Sequence, residues 1–152
     1  MDDNFARAVE ALLQTEGKVI VTGVGKSANI AAKIAATFNS TGTSAMFMHA
    51  GEAMHGDVGA VNERDAVLCL SKSGSSDEVV ALLPILKQRN CALVALTAKP
   101  SSPLGQAADV LLDVGVSEEA CPFDLAPTTS TSLQLAMGCL LYTSDAADEV
   151  LG

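Results

Sequence analysis

The stretch Lys18-Val19-Ile20-Val21-Thr22-Gly23-Val24-Gly25-Lys26-Ser27-Ala28 decides the fold. Its first half is a continuous β-branched run, the composition of a strand buried on both faces. Two glycines break the run. Ile30, Ile34 and Phe38 then recur at helical spacing and predict a helix over about residues 28–40. A buried strand, a tight turn and an amphipathic helix make the first half of a crossover, which ends in a second, parallel strand.

The same alternation extends outward on both sides. Upstream, Phe5, Val9, Leu12 and Leu13 share one face and predict a helix over about residues 2–15. Downstream, apolar runs predict strands at Ala45–His49, Ala66–Leu70, Cys91–Leu96 and Val110–Val114. A loop carrying Gly51, Gly56 and Gly59 joins the second strand to the third. Val79, Leu82, Leu83 and Leu86 predict a helix that ends near Arg89. Pro100 and Pro103 mark a turn before a short helical segment, and Leu133, Leu135 and Met137 suggest a closing helix. Helical periodicity lapses after Gly138, so residues 1–138 are expected to form the domain and residues 139–152 a tail. Strands alternating with helices imply an α/β fold, with a five-stranded parallel sheet inside a three-layer αβα sandwich. Ligands of such sheets bind outside the carboxyl ends of the strands, so the chemistry is expected in the loops that follow them.

Composition narrows the partners. The 152 residues are 49% hydrophobic and 18% charged, which excludes disorder. A net charge of −9 argues against nucleic acid, whose phosphates would be repelled, but not against a small anion held by local dipoles. Aromatic residues are only 3% and Trp is absent, so stacking platforms for bases or sugars are not expected. No apolar run reaches the roughly 18 residues of a membrane span, and the acidic start Met1-Asp2-Asp3-Asn4 lacks the basic head of a signal peptide. Cys69, Cys91, Cys121 and Cys139 are widely spaced and read as free thiols of a reducing cytoplasm.

Three polar loops follow strands. The first, Gly23-Val24-Gly25-Lys26-Ser27-Ala28, has dinucleotide-fingerprint spacing, but no acidic residue ends the second strand to meet a ribose. What remains is a glycine turn that delivers Gly25, Lys26 and Ser27 to a helix start. The second, Ser71-Lys72-Ser73-Gly74-Ser75-Ser76-Asp77-Glu78, sets four hydroxyls around one glycine. Capping the next helix needs only one of them; the others can wrap a phosphate at the helix N-terminus. The third, Pro127-Thr128-Thr129-Ser130-Thr131-Ser132, again opens a helix with hydroxyls. Together they suit a phosphate monoester on a polar, sugar-like body.

Gly25-Lys26-Ser27 and Ser71-Lys72-Ser73-Gly74 with Ser76 resemble the sugar isomerase (SIS) domain, a phosphosugar-binding, flavodoxin-like fold. Thr41-Gly42-Thr43, Gly51-Glu52-Ala53-Met54-His55-Gly56-Asp57 and the run Glu119-Ala120-Cys121-Pro122-Phe123-Asp124-Leu125-Ala126-Pro127-Thr128 are similar to the D-arabinose 5-phosphate isomerases within it. The resemblance implies interconversion of D-ribulose 5-phosphate and D-arabinose 5-phosphate through an enediol, supplying the lipopolysaccharide sugar Kdo. It implies a homotetramer with shared sites, no required cofactor, and an inhibitory zinc ion that can meet His49. By the same resemblance, Lys26, Glu78 and Glu119 are catalytic and His55 lies near the substrate, where its imidazole chemistry adds it to the expected catalytic set. Gly25, Ser27, Gly42, Thr43, His49, Ser71, Ser73, Gly74, Ser76, Thr128, Ser130 and Thr131 contact the substrate or its phosphate. The family pattern would continue to a His-Pro-Gly-Gly motif and a pair of CBS modules, and neither follows Gly138.

Isomerisation needs a base for a weakly acidic C–H, and a carboxylate can serve if burial raises its pKa. Glu119 is the first choice and Glu78 the second. Lys26 could neutralise the phosphate or the enediolate, and His55 could shuttle protons. Two other readings compete: a non-catalytic phosphosugar-binding module, and a dinucleotide-binding domain that rests on the glycine loop alone.

Overall fold

The computed structural model describes residues 3–151, with side chains as far as residue 142. Its elements are α1 (Asp3–Leu13), β1 (Val19–Gly23), α2 (Lys26–Ser40), β2 (Ala45–His49), α3 (Ala50–Ala53), a 3-10 turn (Asp57–Ala60), β3 (Ala66–Leu70), α4 (Asp77–Gln88), β4 (Ala92–Thr97), α5 (Pro103–Ala107), β5 (Val110–Asp113) and α6 (Thr129–Leu151). All strand pairings are parallel, and the sheet order is β2-β1-β3-β4-β5. This is the flavodoxin-like order expected of the family.

Alternation along each strand divides the core between two faces. Val19, Val21, Leu68, Leu70, Val94, Leu96, Val110 and Leu112 pack under α1, α2 and α6, against Phe5, Leu12, Ile34, Phe38 and Leu141. Ile20, Val67, Cys69, Leu93 and Ala95 pack under α3, α4 and α5, against Ala50, Val79, Leu82, Leu86 and Leu104. The sandwich therefore has three layers, as the strand–helix alternation predicts.

Four local expectations change. β1 and β4 each begin and end one residue later than their apolar runs, because Gly23 pairs with both His49 and Leu70, and Thr97 pairs with Asp113. The glycine loop after β2 contains α3 and the 3-10 turn; α3 starts where His49 Nδ1 accepts from Gly51 N at 3.0 Å. Pro103 lies at the start of α5, where its missing N–H costs nothing, and Ser102 caps that helix through Gly105 N at 3.2 Å. The closing helix runs on past Gly138 to Leu151. Gly138 is a packing residue: a side chain there would meet Ile34 Cδ1, with Ile34 Cγ1 at 2.6 Å. It lets α6 lie close on α2, and Leu141 is fully buried in the core beyond it.

β1 leads through α2 to β2 on one side, and β3 lies on the other. The crevice between the carboxyl ends of β1 and β3 is thus the topological switch point. The first two polar loops leave from these two ends.

Candidate functional site

Gly25 precedes α2 with φ 61°, a left-handed conformation that favours glycine, and supplies no side-chain cap. Lys26 follows, exposed and without hydrogen bond or ion pair among the described residues. Ser27 Oγ lies 3.2 Å from both Oε1 and Nε2 of Gln134, a fully buried residue of α6.

The loop after β3 is pinned at several points. Ser71 is buried, and its Oγ accepts from Gly74 N at 3.0 Å; Ser73 Oγ accepts from Ser75 N at 3.3 Å. The Lys72 carbonyl accepts from Ala98 N at 3.0 Å and from Thr97 Oγ1 at 3.2 Å, and the Gly74 carbonyl accepts from Leu104 N at 3.0 Å. Gly74 has φ 65° and sits against Ser102. Ser71 therefore braces the loop as an acceptor, and its O–H is left to donate.

Ser76 precedes α4, and its side chain makes no capping bond. Its Oγ is buried and has no partner among the described residues. A stranded buried hydroxyl costs about 1–3 kcal/mol unless something meets it. Beside it lie the first N–H groups of a 12-residue helix, which favour an anion. Glu78, on the first turn, is exposed and unpaired among the described residues.

Glu119, from the loop after β5, is buried, with a side chain only 2% exposed. Its Oε2 accepts from Thr128 N at 2.8 Å, Ser130 N at 3.1 Å and Thr128 Oγ1 at 3.3 Å. Its Oε1 accepts from Lys72 Nζ at 2.8 Å. The carboxylate thus fills the anion site at the start of α6 and ties the second loop to the third. Lys72 above all, then the Ser130 hydroxyl and the Thr128 N–H, hold its carboxyl far below the usual carboxylate range. This overturns the expectation of a buried base with a raised pKa, because the buried group meets a cation and a helix N-terminus instead of an apolar pocket.

The hydroxyls of the third loop make internal bonds. Thr128 Oγ1 accepts from Ala120 N at 2.9 Å, and Thr131 Oγ1 donates to the carbonyls of Pro127 and Thr128 at 3.2 and 3.0 Å. The Ser130 side chain serves Glu119. The Lys72–Glu119 bond ties the second loop to the third, and the Ser27–Gln134 bond ties the first turn of α2 to α6.

Gly42 and Thr43 lie elsewhere. Their turn leads into β2, so it stands at the amino edge, opposite the other predicted residues of the same chain. His49 ends β2 at the carboxyl edge, with Nδ1 engaged in capping α3; His55 follows α3, exposed and with its side chain unpaired among the described residues. No cluster of three metal-binding side chains occurs among the described residues, and His49 has only one ring nitrogen uncommitted. The described residues of one chain therefore do not by themselves make up a zinc site. A cavity of about 940 Å³ between α4 and α5, lined by Val80, Leu83, Pro84, Cys91 and Leu93, contains none of the predicted site residues.

The sequence reading missed Lys72 as a site residue. The trace it left was a lysine set among serines, where no solvated helix face explains it.

Polar loops at the switch point of a parallel 2-1-3-4-5 sheet define an α/β domain of the doubly wound kind, and the chain belongs to the SIS domain family, whose profile matches residues 12–144. It is 50% identical over 138 residues to the arabinose 5-phosphate isomerase KdsD of Yersinia pestis, covering 91% of this chain and 42% of that one. It is 51% identical over 138 residues to the arabinose 5-phosphate isomerase GutQ of Escherichia coli K12, covering 91% and 43%. The chain thus spans under half the length of these curated relatives. Among solved structures, the Escherichia coli CFT073 protein c3406 in complex with arabinose 5-phosphate superposes with a TM-score of 0.94 at 38% identity, covering 98% of this chain and 79% of that one.

Proposed function

We propose that the chain is the isomerase domain of an arabinose 5-phosphate isomerase. The observation that carries this reading is the uncapped start of α4, with the stranded Ser76 hydroxyl, at the end of the loop whose Lys72 pairs with Glu119. The first is suited to a phosphate and the second to the polar body attached to it. The names of its half-identical relatives and the structure bound to arabinose 5-phosphate support a pentose phosphate as that ligand.

In this reading the phosphate sits at the α4 N-terminus, held by N–H groups, Ser76 and Ser73. Glu78 is the base, since Glu119 is committed at both oxygens. It takes a proton from C1 of ribulose 5-phosphate while His55 protonates the C2 oxygen, giving the 1,2-enediol. A proton returned to C2 and one lost from the C1 hydroxyl complete the aldose. Lys26 offsets the developing negative charge. The sequence is redox neutral overall, so it calls for no redox cofactor.

The family resemblance extends the proposal to a cytoplasmic homotetramer that supplies Kdo synthesis. Shared sites fit the position of Gly42 and Thr43, which could reach a substrate only from another copy. Phe123 and Leu125, 79% and 80% exposed beside Glu119, suit a subunit contact there. Incubation with ribulose 5-phosphate should yield arabinose 5-phosphate. Phosphosugar binding without aldose formation would favour the non-catalytic module, for which the engagement of both Glu119 oxygens is the supporting observation.

A further inference from the structure

We infer that Lys72 is a substrate ligand whose ammonium, held in place by Glu119, faces the reacting end of the sugar; the inference rests on the isomerase reading of the same crevice. Lys72 belongs to the loop that leads into α4, but its side chain leaves that loop for the start of α6. The ammonium therefore stands between the two loops. Of its three donors, one serves Glu119 Oε1 among the described residues. The Lys72 side chain is 48% exposed and that of Glu119 only 2%, so the ammonium lies on the solvent side of the carboxylate with donors to spare.

A purely structural pairing explains this poorly. Glu119 already has two backbone N–H groups and a helix N-terminus to meet its charge. What the pairing adds is a cation fixed at the crevice before any ligand arrives. Loss of a C–H proton moves negative charge onto the two adjacent oxygens, and a donor held in advance stabilises that charge without reorganising. Lys26, unpaired among the described residues, lacks such a tether.

The test compares two ligands that share a phosphate and differ at C1: 5-phospho-D-arabinonate, whose carboxylate imitates the enediolate charge, and D-arabinitol 5-phosphate, which is neutral there. Calorimetry on the wild-type chain and on K72M, with thermal unfolding to confirm folding, gives the four affinities. K72M should weaken the arabinonate by about 10- to 150-fold, the worth of a charge-assisted hydrogen bond, and the arabinitol phosphate by less than about threefold. K72R, which keeps the charge, should retain most of the preference; if K72M does not fold, K72Q is read by the same ratio. Equal losses for both ligands would assign Lys72 to the phosphate or to loop structure and overturn the inference, as would no loss. Failure of the folded wild type to bind either ligand would overturn it together with the functional reading. The expected ratio without turnover of ribulose 5-phosphate would remove the isomerase reading and leave Lys72 as a ligand.

Discussion

Replacing Gly74 by alanine should damage both the stability of the domain and its hold on a phosphosugar, and the size of the effect can be worked out. At φ 65° a Cβ costs about 1–2 kcal/mol. That Cβ would also lie 2.6 Å from Ser102 Cβ and 3.0 Å from Thr97 Oγ1, and would overlap Ser102 Oγ. Ser102 is buried and caps α5, so it has little room to yield; overpacking of this kind costs about 1–3 kcal/mol. Gly25 supplies the control, because its φ is 61° and nothing lies within 4 Å of an added Cβ. Both substitutions restrict the unfolded chain alike, so that contribution cancels between them. Gly25→Ala therefore carries the backbone cost alone, and Gly74→Ala should be less stable than it by about 1–3 kcal/mol, or about 2–12 °C in Tm for a domain of this size. Urea and thermal unfolding of the two variants measure the difference, and calorimetry with arabinose 5-phosphate should show weaker binding by Gly74→Ala. Equal stability of the two variants would refute the claim that this loop is wedged against the loop after β4.

Ser76→Ala should leave the free protein as stable as before or slightly more so, since it removes a stranded hydroxyl, while weakening phosphosugar binding by about 1–3 kcal/mol, roughly 5- to 150-fold. Tighter or unchanged binding would exclude a phosphate contact. Glu119→Gln should lower turnover by loosening the hold on Lys72, and should destabilise the fold in a pH-dependent way. The folded carboxyl lies below its ordinary value of 4.5, so its contribution is complete above that pH and disappears as pH falls through the depressed value. The stability gap between wild type and variant should accordingly be flat from neutral pH down to about 5 and close below it; a gap that widens on acidification would contradict the assignment. Among the thiols, Cys121 should be alkylated fastest, because the N–H groups of Ala126, Leu125 and Phe123 lower its pKa. Cys69, pushed up to about 12 by burial, should stay unlabelled until the protein unfolds, and peptide mapping would show the order.

The sheet was legible in the sequence because its strands are short apolar runs, buried throughout in β1 and β3. Ala45–His49 and Ala66–Leu70 are uninterrupted apolar runs, and both coincide with observed strands. α3 was not legible: four residues carry no helical period, and its start depends on a histidine side chain. Gly138 read as the end of a pattern, yet its meaning lies in Ile34 across the helix interface. The polar loops announced an anion, and their gathering at one edge follows from parallel strands. The division of labour among their hydroxyls did not show, because it depends on contacts between distant segments. Lys72 and Glu119 are 47 positions apart and meet only when two crossovers are complete. Glu119, which Thr128 and Ser130 meet, was visible as a residue but not as their partner.

The central claim is that this crevice binds a pentose phosphate and moves a proton between its first two carbons. Incubation of the protein with ribulose 5-phosphate in deuterated water, followed by mass spectrometry and NMR of the recovered sugars, addresses it directly. The account predicts arabinose 5-phosphate carrying deuterium at C2, and ribulose 5-phosphate carrying it at C1. Recovery of unlabelled ribulose 5-phosphate alone, from protein shown to bind it, would contradict the account.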